Sequence, residues 1–157
     1  MKTAQVRRLN HAVLYVRDAR RAAAFYEEAF GFEPVTELPN GAAVFLRAAG
    51  TENHHDLGLF SLGEQAPLPE AGRVGLYHLA WQVDTIHDLA DMRARLMQMG
   101  ALAGESDHGA TKSLYGKDPD GNEFEVMWMV PRDQWGAHET DAVVKRLDLA
   151  AEVAKHG

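Results

Sequence analysis

The sequence predicts an α+β fold: two tandem βαβββ modules forming a cupped, partly closed mixed β-sheet, followed by a C-terminal helix. Three observations predict it. Leu9-Asn10-His11-Ala12-Val13-Leu14-Tyr15-Val16 parallels Leu76-Tyr77-His78-Leu79-Ala80-Trp81-Gln82-Val83, and each run carries a histidine at its third place. A helical pattern follows each run, and three short strand-like segments follow each helix. A duplicated unit of about 60 residues constrains the whole architecture more than any single motif.

Each element has its own local reason. Leu9 to Val16 alternates and is rich in Val, Leu and Tyr, which reads as a strand. Asp18 can cap a helix reaching Phe30, with Ala22, Phe25, Tyr26, Ala29 and Phe30 on its apolar face and Gly31 as terminator. Strand-like segments follow at Glu33 to Leu38, Ala42 to Ala48 and His55 to Leu62, with Pro39-Asn40-Gly41 as the first turn. Gly63 to Gly72 carries prolines without periodicity and reads as a linker. Leu76 to Val83 is the next strand, and Asp84 or Thr85 caps a helix with Leu89, Met92, Leu96, Met97 and Met99 as apolar positions and Gly100 as terminator. Ala101 to Glu105, Ser113 to Tyr115 and Glu123 to Met129 complete the second module. Antiparallel pairing within each module is expected to give two half-sheets around a cup, a common shape for a ligand site. The tail, 137–157, reads as a helix striped by Val143, Leu147, Ala150, Ala151 and Ala154, suited to packing on the domain or on a second subunit. The expected organisation is therefore one domain over 1–136, with modules at about 7–62 and 75–130, and a helical tail over 137–157.

Composition excludes several classes. The chain has no cysteine, so disulfide scaffolds, thiolate metal sites and cysteine nucleophiles are ruled out, and any metal must take nitrogen and oxygen ligands. The formal net charge of −7 argues against nucleic acid as a partner. No apolar run approaches the roughly 20 residues that span a bilayer, and the first ten residues lack the apolar core of a signal peptide. No membrane partner is expected, and cytoplasmic residence is.

Chemistry concentrates on His11, His78 and Glu125. The two histidines hold equivalent places in the two modules, and Glu125 lies on the last strand, on one face with Glu123 and Met127. A lone histidine is commonly just a hydrogen-bonded sheet residue; the repeated position favours ligands. Two imidazoles and one carboxylate leave about three coordination positions open, a set that suits Fe(II), and also Mn(II), Zn(II) or Ni(II). Asp118-Pro119-Asp120-Gly121-Asn122 is a strong turn signal just before Glu125.

The repeat, with His108-(five residues)-Leu114-Tyr115-Gly116-Lys117-Asp118-Pro119-Asp120-Gly121-(three residues)-Glu125, resembles the vicinal oxygen chelate (glyoxalase/bleomycin resistance/dioxygenase) superfamily. Within it, the segment is similar to the signature of type I extradiol (catechol) dioxygenases. The resemblance covers roughly Arg8 to Trp128, although this chain has one module pair where many such dioxygenases carry two. It implies that His11, His78 and Glu125 form an iron-binding triad. It implies that His55, in His54-His55-Asp56-Leu57-Gly58-Leu59, is the acid–base residue. It implies that His108 and Tyr115 hydrogen-bond the bound catecholate. His54 and His55 are neighbours, so on a strand only one can face the site, and the pattern selects His55. His87 and His138 are expected to face solvent. The partners implied are a small aromatic diol and O2, and a homodimer is expected.

Other activities occur on this fold. A fosfomycin-type thiol transferase would share the triad, with Lys112 and Lys117 as possible cationic groups. A glyoxalase-like lyase or isomerase would want a further carboxylate near Leu57-Gly58-Leu59-Phe60, which is absent. A non-catalytic drug-binding resistance protein would not need the three ligands.

Overall fold

The computed structural model describes residues 3–157. The chain divides into two units, the first ending at Pro67 and the second beginning at Leu68.

The first unit contains β1 (Ala12–Val16), α1 (Ala19–Phe30), β2 (Glu33–Glu37), β3 (Ala43–Arg47) and β4 (Leu57–Ser61). The sheet order is β1-β4-β3-β2. β1 runs parallel to β4, and the other pairs are antiparallel. Asp18 caps α1 as expected: its carboxylate accepts from the Arg20 and Arg21 N–H groups at 2.8 and 3.0 Å. Gly31 ends the helix with φ 67°, a conformation that disfavours residues with a Cβ. Ala22, Tyr26 and Ala29 are buried on its inner face, while Phe25 and Phe30 are half-buried. Leu14, Val16, Leu46, Leu57 and Leu59 complete this core. Each fully buried Leu or Val contributes about 1.5–3 kcal/mol of transfer free energy.

The second unit repeats the pattern with β5 (Leu79–Val83), α2 (Ile86–Gln98), β6 (Leu102–Asp107), β7 (Thr111–Lys117) and β8 (Glu123–Met129). Its sheet order is β5-β8-β7-β6, with β5 parallel to β8. The duplication legible in the sequence is thus a duplication of topology. Each module closes its sheet with one parallel pair beside antiparallel ones, so both sheets are mixed, as expected. The cause is the helical crossover, which returns the chain in the direction of the first strand. The eight strands form two separate sheets, neither closed into a barrel. Thr85, not Asp84, caps α2, in a reciprocal pair with Asp88. Phe124, Val126 and Trp128 point to the face that packs on α2, where Leu89, Met92 and Leu96 are buried.

The tail differs from its expected single helix. Only α3 (Leu149–His156) is an α-helix; Gly136–Glu139 is a short 3-10 turn. The backbone of Lys145 pairs with that of Asp107 in both directions, at 2.8 and 2.9 Å, and so cannot serve a helix ladder. Asp148 then caps α3 by accepting from Ala151 N–H. Ala150, Ala151 and Ala154 are exposed, whereas Leu147 is buried and Glu152, Val153 and His156 are half-buried. The helix docks on its own unit: α3 contacts α2, and the His156 ring lies 5.1 Å from that of Trp128.

Candidate metal-binding and oxygen-chemistry site

Both repeated histidines sit one residue before their strands, His11 before β1 and His78 before β5. They precede the strand, and do not stand at its third residue, because neither the Leu9-Asn10 nor the Leu76-Tyr77 pair finds a ladder partner.

In the second unit, strand register sets the open face. Glu125 pairs with Tyr115 on one side and Ala80 on the other, and Tyr115 pairs with Gly104. Paired residues share a face, so Glu125 and Tyr115 project away from α2. His78 reaches the same place: its Nε2 lies 2.9 Å from Glu125 Oε2. Its Nδ1 is buried without a hydrogen-bond partner. Two ligands at adjacent corners of an octahedron with bonds of about 2.1 Å stand about 3 Å apart. The His78–Glu125 pair therefore fits two neighbouring positions on one divalent cation. Tyr115 Oη and His108 Nε2 are 2.8 Å apart, and the Tyr115 ring lies 5.8 Å from that of His78. Burial, then the charge of Glu125, raises the Tyr115 phenol above its ordinary range, so it stays a donor.

In the first unit, His11 and His55 lie together, with ring centroids 4.5 Å apart. His55 sits in the loop before β4, edge-on to Phe45 at 5.0 Å. Desolvation, then the neighbouring His11 and His54, lowers the His55 pKa against the opposing pull of Asp56. A neutral imidazole, ready to take a proton, results. His54 is exposed and contacts His55 through Nδ1 at 3.1 Å.

The orientation of His11 is fixed by residues that sequence reading missed. Asp56, buried, accepts from Asn53 Nδ2 at 2.7 Å, and Asn53 Nδ2 also donates to the Asn10 carbonyl at 2.8 Å. That fixes Asn53 Oδ1 as the acceptor from Asn10 Nδ2 at 3.1 Å and from Arg8 Nη2 at 2.6 Å. Asn10 Oδ1 must then accept from His11 Nδ1, 2.9 Å away, which leaves the Nε2 lone pair of His11 free to ligate. Asn10, beside His11 in sequence, was the one available signal.

The six residues selected from the sequence are brought together two by two, each pair within one unit: His11 with His55, His78 with Glu125 and His108 with Tyr115. Among the described residues no cluster of three or more His, Asp or Glu side chains is assembled for a metal. His87 is exposed, as expected. His138, expected at the surface, is half-buried over Gly109, where a Cβ would strike its ring.

A fold of two βαβββ units with paired nitrogen and oxygen donors defines a class, and comparison with known proteins identifies it. Residues 8–126 match the model of the Glyoxalase/Bleomycin resistance protein/Dioxygenase superfamily, and the chain belongs to this superfamily. It is 31% identical over 131 residues to the catechol-2,3-dioxygenase of Bacillus subtilis (strain 168), covering 81% of this chain and 43% of that protein. It is 36% identical over 121 residues to biphenyl-2,3-diol 1,2-dioxygenase 3 of Rhodococcus globerulus, covering 76% of this chain and 62% of that protein. The chain thus spans less than two thirds of either relative. The fold matches the crystal structure of a glyoxylase/bleomycin resistance protein/dioxygenase domain from Frankia sp. EAN1pec, with TM-score 0.65 and 22% identity over 80% of this chain and all of that one. No helix among the described residues is long and apolar enough to cross a membrane.

Proposed function

We propose that this chain is a metal-dependent extradiol dioxygenase, opening a catechol-like aromatic diol beside its hydroxyls and incorporating both atoms of O2. The observation that carries this reading is the hydrogen-bonded His108–Tyr115 pair on the same sheet face as the His78–Glu125 pair. The likeness to two ring-cleaving dioxygenases supports it.

In this reading His11, His78 and Glu125 are the residues that would ligate a divalent ion, Fe(II) in the first instance, with Mn(II), Zn(II) and Ni(II) compatible with the same donors. A divalent ion bound there would supply Lewis-acid stabilisation of negative charge on a diol oxygen. His55, kept neutral, takes a diol proton and returns it to the product. Tyr115 gives its one hydrogen to His108 and turns the hydroxyl oxygen toward the diol, where it accepts from a diol O–H. The chain acts in the cytoplasm as a homodimer, and light scattering at twice the chain mass is the expected result for the dimer.

The test is oxygen uptake by anaerobically Fe(II)-loaded protein offered a panel of substituted catechols, with visible absorbance followed in parallel. One O2 consumed per yellow ring-opened product is expected. Full metal loading without uptake on any diol would overturn the reading and favour thiol transfer or isomerisation on this scaffold.

A further inference from the structure

His108 lies in the turn between β6 and β7, and the C-terminal tail grips that turn at successive points. The His138 ring packs over Gly109, where a Cβ would lie 2.5 Å from the ring. The Val143 carbonyl stands 2.9 Å from His108 Nδ1. The Lys145 backbone pairs with that of Asp107 in both directions. Lys112, buried, ties Asp107 at 2.5 Å and Glu152 of α3 at 3.6 Å, so the far end of the tail is anchored as well.

A carbonyl oxygen only accepts, so Nδ1 of His108 must carry a hydrogen to satisfy Val143. In a neutral ring Nε2 is then an acceptor, and the Tyr115 hydroxyl 2.8 Å away must donate to it. Free imidazole side chains prefer the opposite tautomer. The backbone of a segment outside both modules thus sets the direction of a hydrogen bond at the sheet face.

We propose that Val143–Lys145 is a positioning strap: its main chain locks His108 in the Nδ1–H tautomer and thereby directs the Tyr115 hydroxyl. The tautomer follows from this geometry alone; its consequence for turnover rests on the dioxygenase reading above.

Three variants of the full chain, with 15N-labelled histidine, test it through ring-nitrogen shifts, the His108 signals being assigned by their loss in His108→Gln. Lys145→Ala keeps the backbone N–H and should retain a pyrrole-like Nδ1 and pyridine-like Nε2 at His108. Lys145→Pro removes the N–H donated to Asp107 and should move those signals toward the Nε2–H form, with the other histidines unmoved. A folded Lys145→Pro protein with unchanged His108 signals would overturn the strap. Tyr115→Phe decides the matter even if the proline variant does not fold: retention of the Nδ1–H form is expected, and its loss would assign control to Tyr115. At equal metal content, Lys145→Pro should lower kcat by about 10–100-fold, the scale of outer partners of a metal site. Unchanged kcat with a moved tautomer would overturn the catalytic consequence. A parent protein that turns over no diol would sink the dioxygenase reading while the nitrogen shifts still decide the strap.

Discussion

His78 Nε2 and Glu125 Oε2, from the entrance of β5 and the middle of β8, meet at 2.9 Å on the open face of the second sheet. The parallel pairing of Ala80 with Glu125 brings them there, since His78 is two residues before Ala80 and shares its face. If both ligate one ion with His11, removing any of the three should abolish stable occupancy. Desalted Fe(II)-loaded wild-type protein should carry one ion per chain by mass spectrometry, and His11→Ala and Glu125→Ala close to none. Full occupancy in either variant would remove that residue from the ligand set.

His55 and His54 separate by environment. His55 touches His11 and Phe45 and is held neutral by desolvation and neighbouring imidazoles; His54 is exposed. His55→Ala should retain metal and lose roughly two orders of magnitude in kcat, the usual scale for a general base. His54→Ala should change kcat less than about threefold on that same scale. Equal losses in both variants would mean that the pair acts as a unit.

The repeat made the fold legible because duplication, capping residues and glycine terminators are local signals: Asp18, Gly31 and the alternation before each helix are all found as read. A mixed sheet was expected, but which strands form its parallel pair, β1 with β4, was not legible, because strand partners are chosen by tertiary packing. The tail was misread for the same reason: apolar residues from Val143 to Ala154 have helical spacing, yet the first part spends its backbone on Asp107. At the site, His11 and His78 were visible through their repeated position and Glu125 through its strand after the turn, whereas His55, His108 and Tyr115 came from the resemblance to the dioxygenase signature. Asn53 and the Val143 carbonyl were not, because an amide in a loop and a main-chain oxygen leave no distinctive residue pattern.

Asn53 is a buried junction, 7% exposed, that passes the fixed polarity of Asp56 through Asn10 to His11. Asn53→Leu keeps much of the volume but frees Asn10 to rotate and leaves Asp56 short of one donor. The expected cost is about 1–3 kcal/mol in urea unfolding, from the unsatisfied buried groups. Metal affinity by calorimetric titration should weaken about 10–100-fold although Asn53 is not a proposed ligand. Unchanged affinity at reduced stability would show that the junction supports the loop and not the orientation of His11.

Asp107 makes tail docking sensitive to acid. Burial alone would raise its carboxyl, but the Lys112 hydrogen bond, the Gly109 N–H and the charges of Lys112 and Lys145 outweigh this and hold it below its ordinary value. An unfolded chain then binds this proton more readily than the folded one. The stabilisation is complete above the unfolded value of about 3.9 and is lost as pH falls through the lower, folded value. At pH 7, Asp107→Asn should cost about 1.5–3 kcal/mol, the range for a hydrogen bond to a charged group. As pH falls below about 3.9 the gap between wild type and Asp107→Asn should close, because protonation removes from the wild type what the substitution removes from the variant. Urea midpoints across that range decide it. No gap at any pH would mean that Asp107 holds the tail through its backbone pair with Lys145 alone, with the Lys112 ion pair contributing nothing.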